Sequence, residues 1–451
     1  MNKTITTPCG SIKGIDSSIK DVLAFKGIRY ATAKRFEKPI EVTSWEGTYN
    51  ATKYGNCCYQ PRSFYNEEEN IKKIFYYNEF RKNQKYTYSE DCLFLNIWTH
   101  KKATEDSNLP VLVYIHGGGY TGGCGHELHF DDPIWPLKGV IAVTINYRLG
   151  PLGFTVIEPS SNEKPIDGNF GLYDQITALK WIKNNIKAFG GNPNDITIMG
   201  QSAGAMSIQQ LCLSPLTKGL FTKAIMSSGG GINKFLPTPR KEKRYEHYKL
   251  MMDFAGCKTI NELKELPIEQ LFEAWTKARK KFMGMATCPV IDNELIVDDA
   301  VNIVKKNEYH KIPYLIGSNS EDMLPPFMSK MAIKWCKKQG INSYCYMFNH
   351  QLPGDKNGAW HSSDLWYFFG TLKNCWRPTT DIDAKLTDTM TDYLTNFVKT
   401  GNPNNENLPV WQPTTRRQSK VMHFGNNQIK MKKVNFHKLW WNMFTKKAVG
   451  E

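Results

Sequence analysis

The sequence predicts an α/β fold, with a large, mostly parallel central sheet flanked by helices and a helical cap or side subdomain. Short apolar runs alternate with helical periodicity through the first half of the chain. Runs such as Val111–Ile115 are apolar at every position, as in strands covered on both faces. Residues 231–311 break the alternation with charged, amphipathic stretches. In order, residues 110–116 read as a strand ending in glycines and Gly139–Asn146 as a Val- and Ile-rich strand. Residues 173–188 carry Ile176, Leu179, Ile182 and Ile186 at helical spacing. Asp195–Met199 is then a strand and Ala203–Leu213 a helix, and Ile260–Lys277 is an amphipathic stretch. Strands resume at Pro313–Ile316 and Ser343–Phe348. Residues 382–399 form a helix stopped by Gly401-Asn402-Pro403, and Phe436–Phe444 a last, Trp-rich helix. No linker divides the chain, so 1–451 is expected to be one domain with a helical insertion at about 231–311.

Of the 451 residues, 41% are hydrophobic and 22% charged, which excludes disordered, collagenous and coiled-coil classes. Lys and Arg outnumber Asp and Glu by 58 to 43, a formal charge of +15. The basic residues are dispersed, and the densest group, Arg240-Lys241-Glu242-Lys243-Arg244, contains an acid. A basic surface without a nucleic-acid partner is therefore expected. The longest apolar runs are strand-sized, far short of the roughly 20 residues of a membrane-spanning helix. Met1–Thr4 leads directly into polar sequence without an apolar leader, so a cytoplasmic location is expected. The 11 cysteines are odd in number and irregularly spaced, which fits thiols better than a disulfide scaffold.

The chemistry concentrates in Gly200-Gln201-Ser202-Ala203-Gly204, a G-x-S-x-G between an apolar strand and a helix. Small residues two before and two after the serine permit the tight turn that presents Ser202 at the head of the helix. His116-Gly117-Gly118-Gly119 follows an earlier strand. A tetrahedral acyl-transfer intermediate needs fixed donors for its oxyanion, and the N–H groups of Gly118, Gly119 and Ala203 are the expected ones. A serine nucleophile needs a base, and the base an orienting acid, in the chain order Ser, acid, His. Of the five histidines after residue 300, His361 stands in the most suitable setting, Gly358-Ala359-Trp360-His361-Ser362-Ser363-Asp364, a loop before a helical segment. The acid should follow the strand Pro313–Gly317, where Glu321 and Asp322 both qualify. His126-Glu127-Leu128-His129 lacks the His-Glu-x-x-His spacing of a zinc helix, so no metal site is expected there.

These residues resemble the type-B carboxylesterase/lipase family of the α/β-hydrolase superfamily, and the resemblance covers nearly the whole chain. Phe25–Ala31 is similar to the family's opening strand motif, Ser89–Ile97 to its second signature, and Asn146–Phe154 to the strand after the oxyanion loop. Asn169–Gln175 and Phe189–Pro193 bracket the helix before the elbow, as in the family. The family's acid stands five residues after the strand-terminal glycine, usually as Glu in Asp-Glu-Gly. Counted from Gly317 this is Asp322, here in Glu321-Asp322-Met323, so both acid type and glycine depart from the pattern. Asp322 is favoured over Glu321 on that count. Asp364 matches an acidic position that looks structural, and Arg35 and Glu90 resemble a salt bridge of the family that fixes a loop.

Further departures narrow the substrate. Cholinesterase members carry Glu before the nucleophile, where Gln201 stands here, and a choline-binding Trp where this chain has Lys82. Quaternary ammonium groups need aromatic faces and negative potential, so choline esters are not expected. In secreted members Cys58 and Cys92 would be disulfide-bonded, whereas a cytoplasmic chain would keep them reduced. The partner of Cys257 in the family's second disulfide is missing, with Lys264-Glu265-Leu266 in its place. The shorter chain and its tail resemble compact bacterial members, notably those of clostridial type. The resemblance implies a serine carboxylesterase with a Ser202–His361–Asp322 triad, no cofactor, and a small or medium ester as its partner. The alternatives are a non-enzymatic binding or adhesion scaffold of the same fold, or lipase-type activity on acylglycerols.

Overall fold

Every side chain of Val111–Ile115 is buried, and neighbours along the run enter opposite layers: Val111, Val113 and Ile115 pack in one hydrophobic cluster, Leu112 and Tyr114 in the other. Period-two alternation into two apolar layers requires helices on both faces of the sheet. A computed structural model describes residues 3–70, 74–158, 163–232, 238–282, 287–340, 343–426, 428–445 and 449. Its main sheet has 13 strands. Twelve form a continuous path: β1 (Lys3–Thr7), β2 (Gly10–Asp16), β3 (Val22–Arg29), β4 (Phe94–His100), β5 (Leu109–Ile115), β6 (Ile141–Ile145), β7 (Gly191–Gln201), β8 (Lys223–Ser227), β9 (Tyr314–Asn319), β10 (Ser343–Asn349), β11 (Val421–Gly425) and β12 (Ile429–Lys432). The spatial order is β1-β2-β3-β4-β6-β5-β7-β8-β9-β10-β11-β12. Strands β6 to β11 run parallel, and the two ends of the sheet are antiparallel. This is the α/β-hydrolase arrangement.

The order reverses at β5, which lies between β6 and β7. Open parallel sheets bind ligands at the carboxyl ends of strands beside such a reversal. Here Ile115 pairs with Gly200, Gln201 with Ser227, and Ser227 with Gly317. The residues just beyond these pairs are Gly117–Gly119, Ser202, Ser228 and, a few positions on, Asp322.

Helix α1 (Phe170–Asn185) begins three residues before its expected start, and a 3₁₀ turn, Ile186–Phe189, completes the predicted length. Helix α2 (Ala203–Leu213) has the predicted bounds. Asn146–Phe154, read as strand-like by resemblance, is instead a loop followed by a short helix, Gly150–Phe154, with Pro151 in its first turn. Within 231–311 the described helices include α3 (Tyr245–Ala255), α4 (Ile260–Glu265) and α5 (Ile268–Lys281). The stretch read as continuous over Ile260–Lys277 is broken at Pro267, whose ring cannot continue a helix. These helices enter the chain between β8 and β9, which pair directly. Downstream come α6 (Pro325–Gln339), α7 (Asp381–Thr400) and α8 (Phe436–Thr445).

Two ion pairs join blocks of the sequence that carry the family resemblance. Arg35 is paired with Glu90, as the resemblance implies, and also donates to the Leu263 and Leu266 carbonyls at 3.2 and 2.6 Å, tying the loop to α4. Arg148 and Asp174, 3% and 0% exposed, meet at 2.7 Å. The Arg148 backbone N–H also donates to Asp174 Oδ2 at 2.9 Å, and its guanidinium to the Glu37 carbonyl at 2.8 Å. Removing one partner strands a buried charge. Asp174→Asn or Arg148→Met is expected to lower stability by about 3–5 kcal/mol in urea unfolding, and Arg148→Met with Asp174→Leu should recover much of that loss.

Candidate active site

Gly200 and Gly204 permit the close approach that builds the turn at Ser202. A Cβ on Gly204 would lie 2.1 Å from the Ile115 carbonyl oxygen, and one on Gly200 2.5 Å from the Gly204 carbonyl carbon. Between them Ser202 adopts φ 55°, ψ −123°, a conformation that costs a non-glycine residue about 1–3 kcal/mol. The surroundings hold it there: its N–H donates to the Ser227 carbonyl and its carbonyl accepts from Met206, both at 2.9 Å. The Ser202 side chain makes no capping bond to α2 although it stands at the N-cap, so its hydroxyl is left to the cavity.

Ser202 shares a cavity of about 490 Å³ with Gly117, Gly118, Gly119 and His361. Gly118 has φ 101°, within the left-handed region, and its carbonyl accepts from the N–H groups of Thr121 and Gly122 at 3.0 Å. That turn leaves the N–H groups of Gly118 and Gly119 outside the loop's own bonding. Among the described residues none accepts from these two groups or from the N–H of Ala203.

His361 is 9% exposed, and its Nδ1 lies 2.5 Å from Asp322 Oδ1. A carboxylate only accepts, so Nδ1 carries the proton and Nε2 presents a lone pair. Asp322 also accepts from Ser228 Oγ at 2.6 Å and from the N–H groups of Asn319 and Met323 at 3.0 and 2.9 Å. Burial would raise its pKa, but the His361 ring and these donors keep it below the ordinary carboxylate value. Burial likewise pulls the His361 pKa down, but the Asp322 charge and hydrogen bond outweigh it and raise the value.

Of the two neighbouring acids, Asp322 is the one against the imidazole. Glu321 Oε2 accepts from the Ala359 N–H at 2.9 Å and Oε1 from Asn442 Nδ2 at 3.0 Å, clamping the histidine loop to α8. Asp364 is buried and accepts from Ser227 Oγ at 2.7 Å and the Tyr346 hydroxyl at 2.9 Å, beneath the site rather than in it. His126 and His129 do not share a site: His129 stacks on Phe80, where burial lowers its pKa to about 3. Glu127 pairs with Arg62 at 2.7 Å and Arg81 at 3.5 Å, and these cations hold it at about 2 against the burial that would raise it. Lys82 is exposed.

One contact had no signal in the sequence. Gln201 Nε2 lies 3.1 Å from His361 Nε2, so its amide donates to the lone pair that a nucleophile's proton would use. Ser228, which supports Asp322, and Glu321 in its clamping role were also missed, because each depends on a partner far away in the chain.

A family model described as the carboxylesterase family matches residues 1–334 and 327–439. The chain belongs to the carboxylesterase family. It is a carboxylic ester hydrolase. The para-nitrobenzyl esterase of Bacillus subtilis is 29% identical over 92% of this chain and 94% of its own length. The bile salt-activated lipase of Mus musculus is 29% identical over 91% of this chain and 81% of its own. Among solved structures, a thermophilic PNB esterase superposes with a TM-score of 0.82 at 27% identity, covering 97% of this chain and 100% of that one. Across this carboxylesterase-family chain, no helix among the described residues is long and apolar enough to cross a membrane.

The opposed effects on His361 make a measurable contrast. By NMR of histidine-labelled protein, its imidazole should titrate above the ordinary value of 6.5. In Asp322→Asn only the weaker pull of the Asp364 charge opposes burial, and the titration should fall, whereas Glu321→Gln should move it little.

Proposed function

We propose that the ester hydrolysis runs through Ser202, His361 and Asp322. Ser202 Oγ attacks the ester carbonyl as its proton passes to His361 Nε2. Asp322 holds the ring by Nδ1–H and stabilises the imidazolium. The N–H groups of Gly118, Gly119 and Ala203 receive the oxyanion. His361 then gives its proton to the departing alkoxide, leaving an acyl-serine. Water, deprotonated by the same ring, releases the acid and restores the hydroxyl. Before attack, Nε2 must exchange the Gln201 amide for the serine hydroxyl. An amide turned to present Oε1 would instead accept from the imidazolium. The observation that carries the reading is the Asp322–His361 pair opening onto the same cavity as Ser202 and three unused backbone donors.

The substrates are neutral carboxyl esters of small to medium size. Of the charged groups lining the cavity, Arg62, Arg81, Glu67 and Glu127 pair with one another and Glu321 is held by the Ala359 N–H and Asn442, while Tyr65, Tyr76 and Phe80 supply apolar wall. An exposed Lys82 and a neutral Gln201 do not suit choline. We also infer one domain over 1–451, with 231–311 inserted between paired strands, and a cytoplasmic, bacterial setting. The odd cysteine count supports that setting.

A chain-length series of p-nitrophenyl esters tests this. Ser202→Ala should lower kcat by about 10⁶-fold and Asp322→Asn by about 10⁴-fold, while Glu321→Gln should lose far less. Equal losses for the two acid variants would sink the assignment of Asp322. Because His361 must be neutral to accept a proton and its pKa is raised, kcat/KM should fall with decreasing pH through a midpoint above 6.5. Gln201→Glu, which sets a carboxylate beside Nε2, should move that midpoint higher.

A further inference from the structure

Behind the loop that follows the proposed oxyanion glycines, three metal-ligating side chains converge from two segments. Cys57 lies on the short strand Cys57–Cys58, which pairs with Tyr88–Ser89. Cys124 and His126 end the loop. Cys57 and Cys124 are 0% and 1% exposed. One ligand atom from each of the three residues lies within 4.8 Å of the other two, and Cys57 Sγ is 3.6 Å from His126 Nε2. The His126 ring is held flat against Tyr54, with centroids 4.5 Å apart and planes 9° apart. Beside it, the Tyr86 hydroxyl is buried without a hydrogen-bond partner, as is His126 Nδ1.

We propose that Cys57, Cys124 and His126 bind a thiophilic divalent cation, Zn²⁺ by its chemistry, in a Cys₂His site completed by one oxygen donor. In a tetrahedral zinc site, bonds of about 2.3 Å to sulfur and 2.0–2.1 Å to nitrogen set neighbouring ligand atoms roughly 3.5–3.8 Å apart. The Cys57–His126 separation already has that value, and the remaining atoms need to move by about 1 Å at most. Two thiolates, one neutral imidazole and a soft-to-borderline cation are a matched donor set. On binding, the two thiol protons leave to solvent and the two thiolates cancel the charge of the dication. The neighbouring Arg62 is already neutralised by Glu127, so the occupied site is electroneutral and suited to burial. Water or the Tyr86 hydroxyl fills the fourth position.

The site is structural. Gln60, three residues after Cys57, accepts from the Gly123 N–H at 2.9 Å and donates to the Gly123 carbonyl at 3.2 Å. The cation would add a second tie between the same two segments, next to the glycines that present backbone donors to the cavity. It stands apart from the His126–His129 pattern in the sequence: His126 serves with two cysteines, and His129 takes no part.

The test uses the full chain, purified with a non-chelating reductant and titrated with Co²⁺ and Zn²⁺. One equivalent of Co²⁺ should bind with thiolate charge-transfer absorption and the intense visible bands of tetrahedral cobalt. Zn²⁺ should displace it and raise Tm. Cys57→Ser with Cys124→Ser should abolish the charge-transfer band, and His126→Gln should weaken binding while leaving both sulfurs in place. Retained p-nitrophenyl esterase activity would show that each variant is folded. If a variant does not fold, the wild-type cobalt spectrum and stoichiometry decide alone. The proposal is overturned by no saturable cobalt binding, by a thiolate band that survives in a folded double-serine variant, or by a Cys57–Cys124 disulfide whose reduced form takes up no metal.

Discussion

The contact on which the site rests is the approach of the α2 backbone to the end of β5. Gly204 passes so close to the Ile115 carbonyl that no side chain fits between them. The β5–β7 register, which sets Ile115 opposite Gly200, brings the two chain segments together at that point. From this one approach follow the strained serine, the helix that begins directly behind it, and the neighbourhood of Gly117–Gly119. Burial of β5 in both apolar layers makes the register costly to shift, because a slip by one residue would exchange the layers that Val113 and Tyr114 enter.

The imidazole side of the site is built differently. A backbone bridge, the Glu321 N–H donating to the Ala359 carbonyl at 3.1 Å, sets the His361 loop beside the acid, and side chains complete the hold. They reach across the sheet ends: Asp322 on the ring, Glu321 on the Ala359 N–H, and Asn319 on the Trp360 carbonyl at 2.7 Å. Three acids gathered around the histidine loop thus take separate tasks according to their partners. Asp322, rich in donors, is held ionised, while Asp364, dominated by burial, has a raised pKa.

Much of this was legible in the sequence because it is local. The strand–turn–helix around Ser202, the glycine loop and the strand alternation depend on neighbours within a few positions, where periodicity and small residues speak directly. The split at Pro267 is equally local, since the ring ends the preceding helix. Asp322 could be preferred to Glu321 only by counting along a family pattern, since adjacent carboxylates look alike until the backbone turns one inward. The Gln201–His361 bond joins residues 160 positions apart, and Cys57 meets His126 across 69. No spacing rule reaches that far, so both appear only when the sheet has set its strand order.

The Glu321 carboxylate has one oxygen on the histidine loop and the other on Asn442 of the last helix. The far end of the polypeptide is thereby a brace for the base. A fusion, tag or trimming that pulls α8 from its seat would leave the serine elbow intact and yet let the imidazole wander. A chain trimmed before Asn442 would therefore keep the elbow and lose a modest part of its turnover.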